Sequence, residues 1–223
     1  DGKYLTLADC LEENKEKHEN KIFYVTDEKE QSQYINMFKE AGIDAVILPN
    51  PIDSPFMQHV EQKNEGLKFL RIDADVNETF KEKEEDDEAA KEQAKKDAES
   101  LSEIFKKALG NDKLEVKVEK LKNESVASMI TVSEESRRMQ DMMKMYSMPG
   151  MDMGEFGKEG ETLILNANHP LVEYVMQNTD GKNVDMICEQ LYDLALLQHA
   201  PLEPEAMAKF VQRSNDIMML LTK

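Results

Sequence analysis

Between Lys81 and Glu99 the chain is built from Lys, Glu, Asp, Ala and Gln alone. A stretch of that composition has too little apolar surface to form a core, so it divides the 223 residues into two separately folding parts. From Ala94 the run gains an apolar side, with Ala98, Leu101, Phe105, Ala108 and Leu109. The linker should therefore turn into an amphipathic helix that Gly110-Asn111-Asp112 stops. The expected boundaries are 1–76 for a small α/β subdomain, 77–96 for the charged linker and helix start, and 97–223 for an α+β domain.

The first part alternates short strands with helices. Lys21-Ile22-Phe23-Tyr24-Val25-Thr26, Ala45-Val46-Ile47-Leu48 and Leu67-Lys68-Phe69-Leu70-Arg71-Ile72 are β-branched and aromatic runs. Tyr34, Ile35 and Phe38 recur at helical spacing between the first two, and Ala41-Gly42 supplies a left-handed stop. Ile52, Phe56, Met57 and Val60 do the same between the last two. A β-α-β-α-β order with short connections implies parallel strands joined by right-handed crossovers, hence a small three-layer unit.

In the second part Leu114, Val116 and Val118 alternate with Glu115, Lys117 and Glu119, the period of a strand with one wet face. Val126 to Val132 is expected as its antiparallel neighbour and Thr162-Leu163-Ile164-Leu165 as a third strand. Near the end Ile187, Leu191, Leu194, Ala195 and Gln198 keep one helical stripe, which Pro201 breaks. Met207, Phe210, Val211, Ile217, Met218 and Leu221 form another, widened by Met219 and Leu220. Two such short helices at a chain end cannot enclose their own apolar stripes. Two pairs related by a two-fold axis can, in a closed four-helix bundle, so both stripes are candidate homodimer contacts.

Several function classes lose support on composition. A net charge of -18 repels phosphate backbones, which argues against nucleic acid, and no apolar run approaches the roughly 20 residues of a membrane span. Cys10 and Cys188 lie far apart with no CxxC spacing, as reduced thiols of a cytoplasmic protein would. The four His residues are isolated, and no HExxH, GxSxG or Gly-rich phosphate cradle occurs, so no catalytic, cofactor or metal residue is assigned. Glu84-Glu85-Asp86-Asp87-Glu88 lacks the ligand spacing and central Gly of a calcium loop. The start, Asp1-Gly2-Lys3-Tyr4, has neither an initiator Met nor a signal peptide and reads as a cut inside a longer protein.

The chain holds 15 Met and no Trp. Met139, Met142, Met143 and Tyr146 fall at i, i+3, i+4 and i+7 of an amphipathic helix expected over 136–146, with Arg137, Arg138, Asp141 and Lys144 on its other side. Periodicity alone favours packing of this stripe into a core. The excess points the other way, because Met145, Met148, Met151 and Met153 carry the apolar surface into a Gly-rich segment that no core needs. Flexible thioethers on an edge suit varied apolar partners.

These segments resemble one family. Lys21 to Thr26, then Gly42-Ile43-Asp44-Ala45-Val46-Ile47-Leu48 and Pro51-Ile52-Asp53, resemble the end of the middle domain of the ninety-kilodalton heat-shock chaperones of bacterial type. Leu163-Ile164-Leu165-Asn166-Ala167-Asn168-His169-Pro170-Leu171 is similar to the family's Asn-x-x-His-Pro signature. Leu191 to Leu197, with Leu202-Glu203-Pro204, is similar to its dimerisation helices. The resemblance implies that 1–76 ends a middle domain and that the rest is a C-terminal domain closing a homodimer through its last two helices. It implies an ATP-driven parent whose ATP and magnesium site lies in N-terminal regions absent here. It also places the client-binding helix, for unfolded or partly folded proteins, on Ser136 to Tyr146. The Gly/Met insertion after Tyr146 departs from the family pattern. So does the end Leu221-Thr222-Lys223, which lacks the acidic tail of eukaryotic cytosolic members. A different class remains beside it: a small-molecule-binding α/β domain with its ligand at the carboxyl ends of the strands, near Asp27 and Pro51 to Asp53.

Overall fold

A computed structural model describes residues 4, 6–18, 20–74, 80–82, 88–139, 160–198 and 201–222. In chain order the elements are α1 (Leu7–His18), β1 (Lys21–Val25), α2 (Ser32–Ala41), β2 (Ala45–Ile47), α3 (Asp53–Lys63), β3 (Lys68–Arg71), α4 (Glu88–Leu109), β4 (Glu115–Glu119), β5 (Ser128–Val132), α5 (134–139), β6 (Glu161–Asn166), α6 (Pro170–Gln177), α7 (Val184–Leu197) and α8 (Pro204–Leu220). They group into two compact units. One comprises Asp1–Thr79 and Val132–Glu159, the other Phe80–Thr131 and Gly160–Lys223.

The first unit is built on a parallel sheet of order β2-β1-β3. Its central strand, β1, is buried from Ile22 to Val25, as an apolar run without alternation requires. Ile22, Tyr24 and Phe69 gather Met57 and Val60 of α3 with Leu7 and Leu11 of α1. Phe23 instead meets Phe38 of α2 edge-on, with ring centroids 4.9 Å apart. Gly42 ends α2 at φ 63°. Its N–H reaches Lys39 O at 3.1 Å and that of Ile43 reaches Phe38 O at 2.9 Å, the paired bonds that only a left-handed residue allows. One expectation fails on α3. Met57 is buried, but Ile52 and Phe56 are exposed at 70% and 54%. The helix begins only at Asp53, which leaves Ile52 outside it, and Phe56 sits a step of 100° away from the face that Met57 and Val60 turn to the sheet.

In the second unit α4 emerges from the charged run at Glu88. Leu101 and Phe105 are fully buried, and the helix packs on α6, α7 and β4. Each such side chain contributes about 1.5–3 kcal/mol. The sheet corrects the expected strand neighbours: its order is β4-β6-β5, with β4 and β6 parallel. The apolar run Leu163-Ile164-Leu165, at most 1% exposed, takes the centre, between the two strands that precede it in the chain. The alternating β4, with Glu115 and Lys117 exposed, lies at an edge.

The signature residues hold this unit together. Asn166 is fully buried and satisfies four backbone groups: its Oδ1 accepts from Leu121 N (3.0 Å) and Asn168 N (3.1 Å), and its Nδ2 donates to Asn123 O (3.1 Å) and Val126 O (2.8 Å). Asn168 Nδ2 adds a bond to Leu121 O at 3.1 Å. His169 then caps α6, its Nδ1 accepting from Leu171 N at 3.1 Å, and Pro170 takes the first turn, where no N–H is needed. Burial lowers the His169 pKa, which keeps the imidazole neutral and able to accept.

Candidate functional site

The Met-bearing helix starts at Ser133. Its hydroxyl accepts from Ser136 N at 3.2 Å, and Arg137 N closes the first turn on Ser133 O at 3.0 Å. The next residues, within the first unit, bind the α/β sheet through three arginines and three carboxylates. Arg138 grips Glu61 of α3 with both ends of its fork, Nη1 to Oε2 at 2.7 Å and Nη2 to Oε1 at 3.0 Å, and turns its Nε to Glu134 at 2.9 Å. Arg71 holds Asp73 through Nε at 2.6 Å and reaches Thr26 Oγ1 at 3.1 Å. Arg137 joins the same carboxylate at 3.3 Å. Glu134 accepts from Tyr24 OH at 2.8 Å and from Arg71 N at 3.0 Å.

These side chains also complete the open side of β3. Phe69 N donates to Glu61 at 2.7 Å, Phe69 O accepts from Arg138 at 3.2 Å and Arg71 N donates to Glu134, so each backbone group there has a partner without a further strand. The ionisation follows. Burial raises the Glu61 pKa, but the Arg138 fork and Phe69 N–H outweigh it and the net shift is downward. The Glu61 hydrogen bond holds the Arg138 guanidinium above its ordinary range. Burial pulls Arg137 below its own, against the opposing charge of Asp73. Burial, then the Glu134 charge, pushes the Tyr24 phenol up.

Arg137 and Arg138, expected on the wet side of the helix, are docked rather than solvated, with Arg137 only 5% exposed. Met139 faces outward at 57% exposure. Met142, Met143, Met145 and Tyr146 lie outside the described residues. Sequence reasoning missed the docking because Asp73 and Glu61 are 64 and 77 positions from their arginines.

The candidate dimer contacts divide. Leu191 and Ala195 are buried within the second unit. Ile187, Met207, Phe210 and Ile217 are half-buried, while Leu194, Val211, Met218 and Leu221 are exposed together with Met219 and Leu220. No residue of α8 is buried. What ties it to α7 is polar: Arg213 bonds Glu189 at 2.8 Å, Gln190 at 2.9 Å and Asp193.

The small-molecule alternative loses its groups. Asp27 caps the turn into α2, accepting from Lys29 N (2.8 Å) and Glu30 N (3.1 Å), and these bonds lower its pKa. Asp53 accepts from Asn50 N at 2.8 Å. Among the described residues no cluster of His, Cys, Asp and Glu could hold a metal ion, and no helix is long and apolar enough to cross a membrane.

The family model described as Hsp90 protein matches residues 1–223, the whole chain. The chain belongs to the Hsp90 family. Among its relatives, the chaperone protein HtpG of Bacteroides fragilis strain YCH46 is 31% identical over 188 residues, covering 81% of this chain and 27% of the relative. HtpG of Porphyromonas gingivalis is 28% identical over 176 residues, 78% and 25% of the two chains. HtpG of Treponema denticola is 28% identical over 204 residues, 88% and 30%. This Hsp90-family chain therefore spans under a third of the length of the curated relatives it matches.

Proposed function

We propose that this chain is the dimerising and client-binding C-terminal region of an ATP-dependent cytoplasmic chaperone, its first unit ending the middle domain. The observation that carries the reading is Met139: a large apolar side chain more than half exposed, on a helix anchored elsewhere by a buried and a half-buried ion pair. A core stripe would face the other way. The sequence spacing of Met142, Met143 and Tyr146 from it, with Met145 beside them, assigns these residues to the same client surface, whose partners are unfolded or partly folded proteins. ATP and magnesium belong to the absent N-terminal domain of the parent.

Replacing Met139, Met142 and Met143 by Ser should weaken association with a labelled, reduced and carboxymethylated protein that cannot fold. Stability should change little. A loss of roughly 2–5 kcal/mol per position, the cost of emptied core sites, would show that the stripe is core.

For the dimer, Leu194, Val211, Met218 and Leu221 supply the open apolar face of α7 and α8, which a second copy covers through the same residues. Light scattering after size exclusion should give twice the chain mass of 25.6 kDa at micromolar concentration. Leu194→Asp or Met218→Asp should return it to one chain, and a variant dimer as tight as wild type would remove these helices from the interface.

A further inference from the structure

The order β2-β1-β3 places the first strand in the middle, so the winding reverses between β1 and β3. Open parallel sheets seat ligands outside the carboxyl ends of the strands at such a reversal, because the loops leaving the two strands part to opposite faces there. In this unit those ends carry Thr26, Arg71 and Asp73, and the group that enters is the chain's own Arg137 guanidinium. Beside it, Glu134 and Arg138 occupy the open side of β3 in the way an added strand would.

We propose that residues 134–139 are the resident ligand of this crevice, and that Arg137 and Arg138 are positioning residues that set the rotation of α5 and so aim Met139 at solvent. Successive helical residues are 100° apart. Glu134 and Arg138 share one side, Arg137 lies a step away, and all three are held at separate points of the sheet: Tyr24 with Arg71, Glu61 with Phe69, and Asp73. Three fixed points leave the helix no freedom to turn about its axis. Met139 is a step beyond Arg138 and two beyond Arg137, which leaves it the outward direction. The inference rests on the client-surface reading of the stripe and adds what orients Met139.

The test uses the whole chain with Arg138→Gln, Arg138→Lys, Glu61→Gln and Met139→Ser. Two quantities are read: amide hydrogen exchange at Arg137 to Met139, Phe69 and Arg71, and anisotropy of the labelled unfolded protein. Arg138→Gln and Glu61→Gln should speed exchange at those amides about tenfold or more, since each removes a charge-assisted fork. They should weaken binding roughly fivefold or more, the scale of a coupling between two sites. Arg138→Lys, which keeps the charge, should recover part of both. Met139→Ser should weaken binding with exchange unchanged. Wild-type exchange in Arg138→Gln would overturn the docking, and faster exchange with wild-type binding would overturn its role in aiming Met139. Wild-type binding by Met139→Ser would overturn the client-surface reading itself, and with it the proposal, through a separate measurement.

Discussion

Asn166→Asp changes one atom of the family signature and keeps its volume. The retained Oδ1 still accepts from Leu121 N and Asn168 N, but the atom that donated to Asn123 O and Val126 O becomes an acceptor facing two acceptors at 3.1 and 2.8 Å. Two hydrogen bonds are lost, Val126 O is left without its donor, and a carboxylate is placed at a fully buried position. Two bonds at about 1 kcal/mol each and a stranded buried carbonyl at about 1–3 kcal/mol sum to roughly 3–5 kcal/mol at neutral pH. Asn166→Ala, which abandons all four bonds, should fall in the same range although it buries no charge. Urea unfolding of the second unit reads this as a lower midpoint at unchanged slope. The Asp variant has a further signature. Its buried carboxyl has a raised folded pKa, and once protonated it can donate to Val126 O, so its deficit should shrink on acidification while that of the Ala variant should not. An Asp variant within about 0.5 kcal/mol of wild type at neutral pH would refute the claim that the signature acts through these bonds.

Glu61 has a depressed pKa in the folded chain, relative to an ordinary value of 4.5. Its pairing with Arg138 therefore contributes stability that is full above that value and is lost as pH falls through the lower folded pKa, so the stability gap between wild type and Glu61→Gln should be flat above 4.5 and close below it. A gap that persists unchanged into acid would remove the ion pair as its source. Burial, then the Asp185 charge, pushes the fully buried Cys188 thiol up to about 12. A disulfide reagent at pH near 8 should therefore modify half-exposed Cys10 and reach Cys188 only on unfolding, and equal rates for the two would contradict the packing of α7.

The first sheet was legible because its determinants are local. Ile22 to Val25 is an uninterrupted apolar run, Gly42 marks a helix end by its own backbone, and short connections force parallel pairing. The second sheet was only half legible. Alternation in β4 correctly announced a half-wet strand, but apolar runs alone do not rank β5 and β6, which are both buried, and β6 lies between two strands adjacent in sequence. At the candidate site helical spacing alone favoured packing Met139 into a core, and it was the excess of Met beyond Tyr146 that pointed to an exposed face. The docked state of Arg137 and Arg138 was not legible, because a charged residue on a helix is solvated by default and only a distant carboxylate, here Asp73 or Glu61, changes that.

The completed side of β3 has a consequence for a protein whose proposed partners are unfolded chains. An extended polypeptide adds to any sheet margin that offers unpaired N–H and C=O groups, and addition of that kind leads to aggregates rather than release. Here Phe69 and Arg71 offer none, because Glu61, Arg138 and Glu134 bond Phe69 N, Phe69 O and Arg71 N, and Ala74 N bonds Arg71 O. The clamp at the base of the Met helix thus separates two kinds of stickiness. Side-chain contact, which is weak and reversible, stays on display at Met139, and backbone pairing, which would template further strands, is withheld at Phe69 and Arg71.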